Sequence, residues 1–168
     1  MMTLYFLRHG IAEDRTAPGI KRDADRVLTA EGRQKVRRVA KAMDRLELQF
    51  DRILSSPLLR ALQTAEQVAG TLARAPKVEV WEELSPDGDA AALIERLNQL
   101  CPAPDHVLLV GHEPHMSRLI SLLLTGTPDL AMTLKKAGLC TLTVTELRPG
   151  RCATLEWLLT PKQMALMR

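Results

Sequence analysis

The most restrictive feature of this chain is a regular alternation between short apolar runs and longer stretches with helical periodicity. The runs at 3–7 and 107–110 are too short for helices and have no polar face, which is typical of strands buried on both sides. Weaker strand patterns occupy 52–55 and 77–81, and helical patterns cover 29–46, 57–72, 89–100 and the segment that starts at Pro114. Strands that alternate with helices predict an α/β fold with a mostly parallel sheet.

The end of the chain departs from that alternation. Residues 139–147 and 152–159 show strand patterns on either side of Arg148-Pro149-Gly150-Arg151, a turn signal, and so predict an antiparallel hairpin. The predicted architecture is a three-layer α/β/α fold, with helices on both faces of a mostly parallel, mixed sheet and a C-terminal antiparallel hairpin. Because the chain has 168 residues, 46% of them hydrophobic and 26% charged, we expect one domain over 1–168.

Composition argues against several classes of partner. Aromatic residues are only 3% of the chain and the net charge is +3, so no nucleic-acid-binding surface is predicted. No apolar run approaches the ~20 residues that cross a bilayer, and no signal segment is visible. The three cysteines form no CxxC pair, which argues against a disulfide framework or a thiolate zinc site. We therefore expect a cytoplasmic protein without membrane contacts.

Arginine and histidine side chains follow three of the predicted strands. Arg8 and His9 close the first strand, Arg60 lies in the first turn of the helix after the second, and His112 follows the strand that ends at Val110. Loops beyond the carboxyl ends of the strands meet at one edge of an open α/β sheet. Two of these segments pass directly into helices, whose free amide groups and dipoles favour an anion. The sequence therefore predicts a phosphate site at this edge.

The residue types suit phosphoryl transfer. Arg8 and Arg60 offer planar, permanently charged forks for phosphate oxygens. A neutral His9 can attack phosphorus if a backbone carbonyl holds its other ring nitrogen. His112 is predicted to be protonated and to stabilise charge on the transferred oxygens. No metal or organic cofactor is predicted.

These residues are also compatible with other roles. His9 beside Arg8 is, by itself, also compatible with a plain surface pair, and His106, His112 and His115 are potential metal ligands, although no fitting carboxylate-histidine motif accompanies them. No cysteine lies in a loop of the tyrosine-phosphatase kind, with an arginine soon after the thiol. A basic stripe on the first helix is interpreted as a solvated face, with contact to an acidic partner protein as the alternative; it comprises Arg33, Arg37, Arg38, Lys41 and Arg45.

Taken together, the motifs resemble those of the histidine phosphatase superfamily, also called the phosphoglycerate-mutase-like family. The matching segments occur in the family's order, each after a predicted strand: Leu7-Arg8-His9-Gly10, Ser55-Ser56-Pro57 with Arg60 and Gln63-Thr64-Ala65, and Gly111-His112. The resemblance implies that His9 is the nucleophile that becomes phosphorylated. It also implies that Arg8, Arg60 and His112 form the phosphate pocket.

Within the superfamily the chain looks most like the SixA-type phosphohistidine phosphatases, because it is short and contains the segments 26–32 and 83–89. Arg26 stands just before the first helix and is a further candidate phosphate ligand. Glu83 matches best the position of the general acid that protonates an alkoxide leaving group. An imidazole leaving group titrates near ~6.5 and has less need of such an acid.

Three functions follow from this resemblance. The first is removal of phosphate from histidine on signalling proteins such as phosphotransfer domains, through a covalent intermediate on His9 that water hydrolyses. The second is a broad phosphomonoesterase or mutase acting on small metabolites, with Glu83 as a true acid. The third is a phosphate-binding module without turnover. Crossover segments with little beyond one helix predict an open pocket, which favours a protein substrate; the oligomeric state is left open.

Overall fold

The computed structural model of the protein describes residues 1–167, and its centre is a six-stranded sheet. The strands in chain order are β1 (Met2–Arg8), β2 (Arg52–Ser55), β3 (Val78–Val80), β4 (His106–Gly111), β5 (Leu139–Val144) and β6 (Ala153–Leu159). Their order across the sheet is β3-β2-β4-β1-β5-β6. The first four strands are parallel to one another, whereas β5 pairs antiparallel with both β1 and β6. The predicted mixed sheet and C-terminal hairpin are confirmed.

Helices cover both faces of this sheet. They are α1 (Ala30–Arg45), α2 (Leu59–Ala69), α3 (Ala90–Asn98), α4 (His115–Thr125) and the short α5 (Pro161–Ala165). One buried cluster packs α3 and α4 against one face, and a second packs α1, α2 and α5 against the other. These two cores confirm the three-layer architecture. Within residues 1–167, no helix has both the length and the apolar character needed to cross a membrane.

Helix starts follow their local sequence, with one exception. Thr29 caps α1 by accepting a hydrogen bond from the Gly32 amide at 2.9 Å, and Asp89 caps α3 in the same manner. The pattern over 57–72 places the helix start at Pro57, after a cap at Ser56, and this is wrong. Helix α2 begins only at Leu59, and the Ser56 hydroxyl accepts from the Leu58 amide at 3.3 Å while it also lies 2.8 Å from His112 Nε2.

The strand register brings three loops to one edge of the sheet. Arg8 at the end of β1 lies opposite Gly111 at the end of β4, and Ser55 of β2 lies opposite Val110. Beyond β1, the His9 amide donates to the Gly111 carbonyl at 3.0 Å. On the other side, the Ala137 amide donates to the carbonyls of Arg8 and His9 at 3.0 and 3.2 Å. The peptide that carries the His9 side chain is therefore held from both neighbours.

Candidate active site

The His9 side chain has a defined tautomer. Its Nδ1 lies 2.7 Å from the Gly10 carbonyl oxygen, which can only accept a hydrogen bond, so Nδ1 carries the proton. Its Nε2 therefore has a free lone pair, and that nitrogen accepts a hydrogen bond from Arg60 Nε at 3.4 Å. The ring is only 7% exposed. This geometry presents one unprotonated imidazole nitrogen to a cationic neighbour.

The surroundings also keep His9 uncharged. Burial lowers its pKa from 6.5 to about 3, and although the hydrogen bond with Gly10 opposes that shift, the positive charges of Arg60, Arg8 and Lys136 add to it. At neutral pH the lone pair on Nε2 is therefore available in essentially every molecule.

His112 lies directly beside His9. The two ring centroids are 5.0 Å apart and the rings are tilted by 51°. His112 Nε2 is 2.8 Å from the Ser56 hydroxyl, and its Nδ1 is buried without a hydrogen-bond partner among residues 1–167. A buried ring nitrogen left unpaired by the protein is suited to contact a ligand.

The predicted protonation of His112 is wrong for the protein by itself. Burial, followed by the proximity of His9 and Arg60, lowers the His112 pKa from 6.5 to about 3, although Asp23 opposes the shift. The sequence indicates an anion that would stabilise the imidazolium. It does not indicate that the ring is buried among positive groups, which disfavours the charged form. A dianionic ligand would raise this pKa again, because an adjacent negative charge favours the charged form.

Arg60 extends from the first turn of α2 toward His9 and is 5% exposed. Its Nη1 donates to the Asp23 carbonyl at 2.8 Å and its Nη2 donates to Asp23 Oδ2 at 2.9 Å. Burial lowers the Arg60 pKa, but the hydrogen bond and charge of Asp23 oppose that effect. Burial would raise the Asp23 pKa, yet hydrogen bonds from Arg26 and Arg60 outweigh it and the pKa falls. Asp23 thus fixes the guanidinium that faces the nucleophile.

Arg8 is the last residue of β1 and lies next to His9. Its Nη1 donates to the Leu134 carbonyl at 2.9 Å, and its Nε is buried without a partner among the described residues. Burial lowers its pKa, whereas the charge of Glu113 raises it. An arginine nitrogen held in place but unpaired is available for an oxyanion.

Arg26, the further candidate phosphate ligand, is part of the support for Arg60. Its Nε donates to the Glu13 carbonyl at 2.6 Å and its Nη1 donates to Asp23 Oδ1 at 3.0 Å. Asp23 is also paired with Arg15 at 3.2 Å. The observed contacts of Arg26 are with this acidic loop, so a phosphate contact by Arg26 stays a prediction.

The side chain of Glu83, the candidate general acid, is directed at α3. Both of its carboxyl oxygens accept from Arg96 Nη1, at 2.8 and 3.1 Å, and the Arg96 guanidinium stacks over the Trp81 ring at 4.0 Å. No hydrogen bond joins its side chain to His9 or His112 within residues 1–167. The His115 side chain is buried near the Glu83 backbone, and burial lowers the His115 pKa while the Glu83 backbone opposes that shift. The structure therefore places the Glu83 segment beside the site, with its carboxyl group engaged elsewhere.

Two residues inside the matched motifs have contacts that the sequence did not assign. Thr64 accepts a hydrogen bond from the Gly10 amide at 3.1 Å and donates to the Arg60 carbonyl at 2.7 Å, which ties the loop after His9 to α2. Ser56 contacts His112. Their presence in the motif segments was the available signal. Asp23 gave none, because it occurs in a polar stretch interpreted as a surface loop.

The remaining histidine lies far from this group. His106 begins β4 whereas His112 follows its end, so the length of the strand separates them. Among residues 1–167, no three histidine, cysteine, aspartate or glutamate side chains are grouped as a metal would need.

The arrangement as a whole suits a tetrahedral oxyanion. Arg8 and Arg60 supply positive charge, His112 supplies an unpaired ring nitrogen, and His9 supplies a lone pair beside them. Four predicted site residues are thus brought together, and two, Arg26 and Glu83, lie at its border with side chains bound to other groups.

Comparison with known proteins shows similarity to one family. Residues 4–85 match the family described as the histidine phosphatase superfamily (branch 1). The chain is 30% identical to the phosphohistidine phosphatase SixA of Escherichia coli over 169 residues, covering 99% of both chains. It is 40% identical over 139 residues to an uncharacterised protein of Picosynechococcus, covering 82% of each. A structure of the protein histidine phosphatase SixA complexed with tungstate superposes with a TM-score of 0.81 and 26% identity, covering 96% of this chain and 98% of that one.

Proposed function

Because the chain belongs to the histidine phosphatase superfamily and is SixA-like, we propose that it removes phosphate from phosphohistidine on a protein, with His9 as the nucleophile. The observation that supports this proposal is the tautomer of His9. Its proton is on Nδ1, bound to Gly10, so Nε2 is unprotonated and faces the Arg60 guanidinium, which in this proposal holds the phosphoryl group. The relative in Escherichia coli is named for the same activity, as a phosphohistidine phosphatase.

The proposed reaction has two steps. In the first, the Nε2 lone pair of His9 forms a bond to phosphorus while the phosphorus–nitrogen bond of the substrate breaks. The electron pair of that bond goes to the substrate imidazole, which takes a proton from water. In the second, water attacks phosphorus and gives up a proton that neutralises the hydroxide from the first step, the electron pair of the bond to His9 returns to Nε2, and inorganic phosphate leaves. Arg8, Arg60 and His112 bind the transferred oxygens in both steps.

The engagement of Glu83 supports a phosphohistidine substrate over a phosphate ester. An alkoxide leaving group needs a proton from a positioned acid, whereas a histidine imidazole, with a pKa of ~6.5, leaves readily. Glu83 has both oxygens bound to Arg96 rather than directed at His9. We retain Glu83 as the acid for any ester that the enzyme hydrolyses slowly.

The substrate in this proposal is a signalling protein such as a phosphotransfer domain, and the reaction takes place in the cytoplasm. The similar SixA structure was complexed with tungstate, a tetrahedral oxyanion like phosphate. That chemistry fits the two arginines and the buried, unpaired ring nitrogen of this chain.

Trapping the intermediate tests the nucleophile. A phosphotransfer domain labelled with ³²P on histidine is mixed with wild type, with His9→Ala and with His106→Ala, which serves as a matched control away from the site. We expect acid-labile label on wild type and the control, and none on His9→Ala. Label on His9→Ala, or release of phosphate without His9, would refute the proposal.

A second experiment distinguishes the substrate classes. We expect Glu83→Gln to change turnover of the phosphohistidine protein by less than about threefold and to lower hydrolysis of an alkyl phosphate such as glycerol 2-phosphate by ~10²-fold, because only an alkoxide leaving group depends on the acid. A wild-type enzyme that ignores phosphohistidine but hydrolyses small esters efficiently would instead be a phosphomonoesterase. Binding of phosphate without steady release would indicate a phosphate-binding module.

A further inference from the structure

A wide cationic groove lies beside the site. Its volume is about 800 Å³, and it runs between α1, the segment before β5 and the start of α5. Six of its lining side chains are positively charged and none is acidic: Arg8, Lys35, Arg38, Lys135, Lys136 and Lys162. Among residues 1–167, only Lys35 of these six forms an ion pair, with Glu31 at 3.7 Å, where Glu31 is 71% exposed. The positive charge of the groove is therefore largely unbalanced by the protein itself.

The groove adjoins the nucleophile through shared and neighbouring residues. Arg8 belongs to both, since it lines the groove and its peptide adjoins His9. Lys136 lines the groove and is near enough to His9 for its charge to affect that ring. The next residue, Ala137, donates its amide to the carbonyls of Arg8 and His9. A protein whose phosphohistidine is held at His9 would therefore lie close enough to contact this groove.

The apolar part of the lining indicates what kind of anion fits. Ile11, Pro161 and Ala165 line the groove together with the cationic side chains, and no aromatic side chain of residues 1–167 does so. A nucleotide base would normally need an aromatic ring to stack on. Acidic side chains on a polypeptide need only separated positive charges and aliphatic surface, which this groove provides.

On the basis of the proposed function, we infer that the groove docks an acidic segment of the protein whose phosphohistidine enters the site. Glutamate and aspartate near the phosphohistidine would contact the lysines and arginine of the groove and direct the phosphoryl group toward His9. This assigns partner binding to only part of the basic stripe on α1. Arg38 contacts the partner together with Lys35, whereas Arg33, Arg37 and Lys41 do not line the groove and face solvent.

Two matched triple variants test this inference. The groove variant is Lys35→Gln/Arg38→Gln/Lys162→Gln, and the control Arg33→Gln/Arg37→Gln/Lys41→Gln removes the same net charge from exposed positions. The substrates are two synthetic peptides with a central phosphohistidine, one flanked by glutamates and one by lysines, together with phosphoramidate as a small substrate. kcat/KM is measured at low and at physiological salt.

We expect wild type and the control to prefer the glutamate-flanked peptide by about tenfold or more at low salt, because several exposed ion pairs act together. The groove variant should lose most of this preference through a higher KM, while its turnover of phosphoramidate stays unchanged. Equal kcat/KM values for both peptides with wild type, or an equal loss of preference in the control, would overturn the inference. Stronger inhibition by ATP than by inorganic phosphate, abolished in the groove variant, would also overturn it in favour of a nucleotide site.

A binding measurement separates this inference from the proposed function. Fluorescence anisotropy of the unphosphorylated glutamate-flanked peptide on His9→Ala measures docking without chemistry. In one outcome, the groove substitutions weaken this binding about tenfold while wild type shows no turnover of either peptide. That result would refute the proposed function but support the groove as a docking surface for acidic segments. Turnover of both peptides without such binding would refute the docking surface and leave the proposed function intact.

Discussion

The two site histidines should make the protein sensitive to mild acid, and the size of the effect can be worked out. His9 and His112 have pKa values of about 3 in the folded protein, against 6.5 when exposed. Since both folded-state values are depressed, the unfolded chain binds more protons below pH 6.5. The stability that the neutral rings contribute is therefore fully present above that value and is lost as pH falls through it.

At pH 5 the unfolded histidines lie about 1.5 pH units below their pKa, and each pH unit is worth ~1.36 kcal/mol. Each ring thus lowers the free energy of unfolding at pH 5 by about 2 kcal/mol relative to pH 7.5. His9 and His112 together lower it by about 4 kcal/mol. That is a large part of the roughly 5–15 kcal/mol by which folded domains are typically stable. Most carboxylates titrate below this window, at about 4, so histidines dominate the change.

Urea unfolding at pH 7.5 and pH 5 measures this loss in wild type and in His9→Gln/His112→Gln. The double variant should lose about 4 kcal/mol less stability between the two pH values, with a remaining slope from His115, whose pKa burial also lowers. Thr141→Val, a buried position without a titrating proton, should shift stability equally at both pH values. A double variant as acid-sensitive as wild type would show that the two rings are not buried as neutral groups.

Three further effects should be measurable. Asp23→Asn should lower kcat/KM about fivefold to tenfold, because Arg60 loses a charge-assisted hydrogen bond worth roughly 1 kcal/mol at this partly exposed carboxylate; unchanged steady-state kinetics would contradict a positioning role. Gly32→Ala should lower the free energy of urea unfolding by about 2 kcal/mol or more, because its Cβ would lie 2.0 Å from the Ile11 carbonyl oxygen and overpacking against backbone is costly; wild-type stability would contradict that close contact. Vanadate at about 100 times its Kd should raise Tm by roughly 5–10 °C in wild type, and Arg60→Gln should remove most of this shift in thermal unfolding; a full shift in the variant would mean that the anion binds elsewhere.

The fold was largely predictable because hydrophobic periodicity reports which faces are buried. The run 107–110 predicted the central strand, and it is fully buried as part of β4. Element ends were less predictable. Pro57 suggested a helix start, but α2 begins two residues later, and Ser56 contacts His112, which is 56 positions away in the chain. Long-range contacts of this kind leave no trace in local sequence patterns.

The site was predictable where chemistry is carried by distinctive residue types, and less so where it depends on surroundings. Arg8, His9, Arg60 and His112 follow strand ends, so topology alone brings them together. The protonation of His112 depends on burial and on neighbouring charges, which no local motif reports. The role of Asp23 depends on a turn at Asp23–Asp25 folding back onto α2, a path that composition describes only as polar.

The hydrogen bonds on both sides of the His9 peptide have a consequence for substrate choice. A ring mounted on a backbone held by Gly111 on one side and Ala137 on the other has little freedom to travel toward a distant phosphorus atom. The incoming molecule must make that approach itself. The protein surface around the site then determines which phosphorylated molecules reach His9, before any bond is broken.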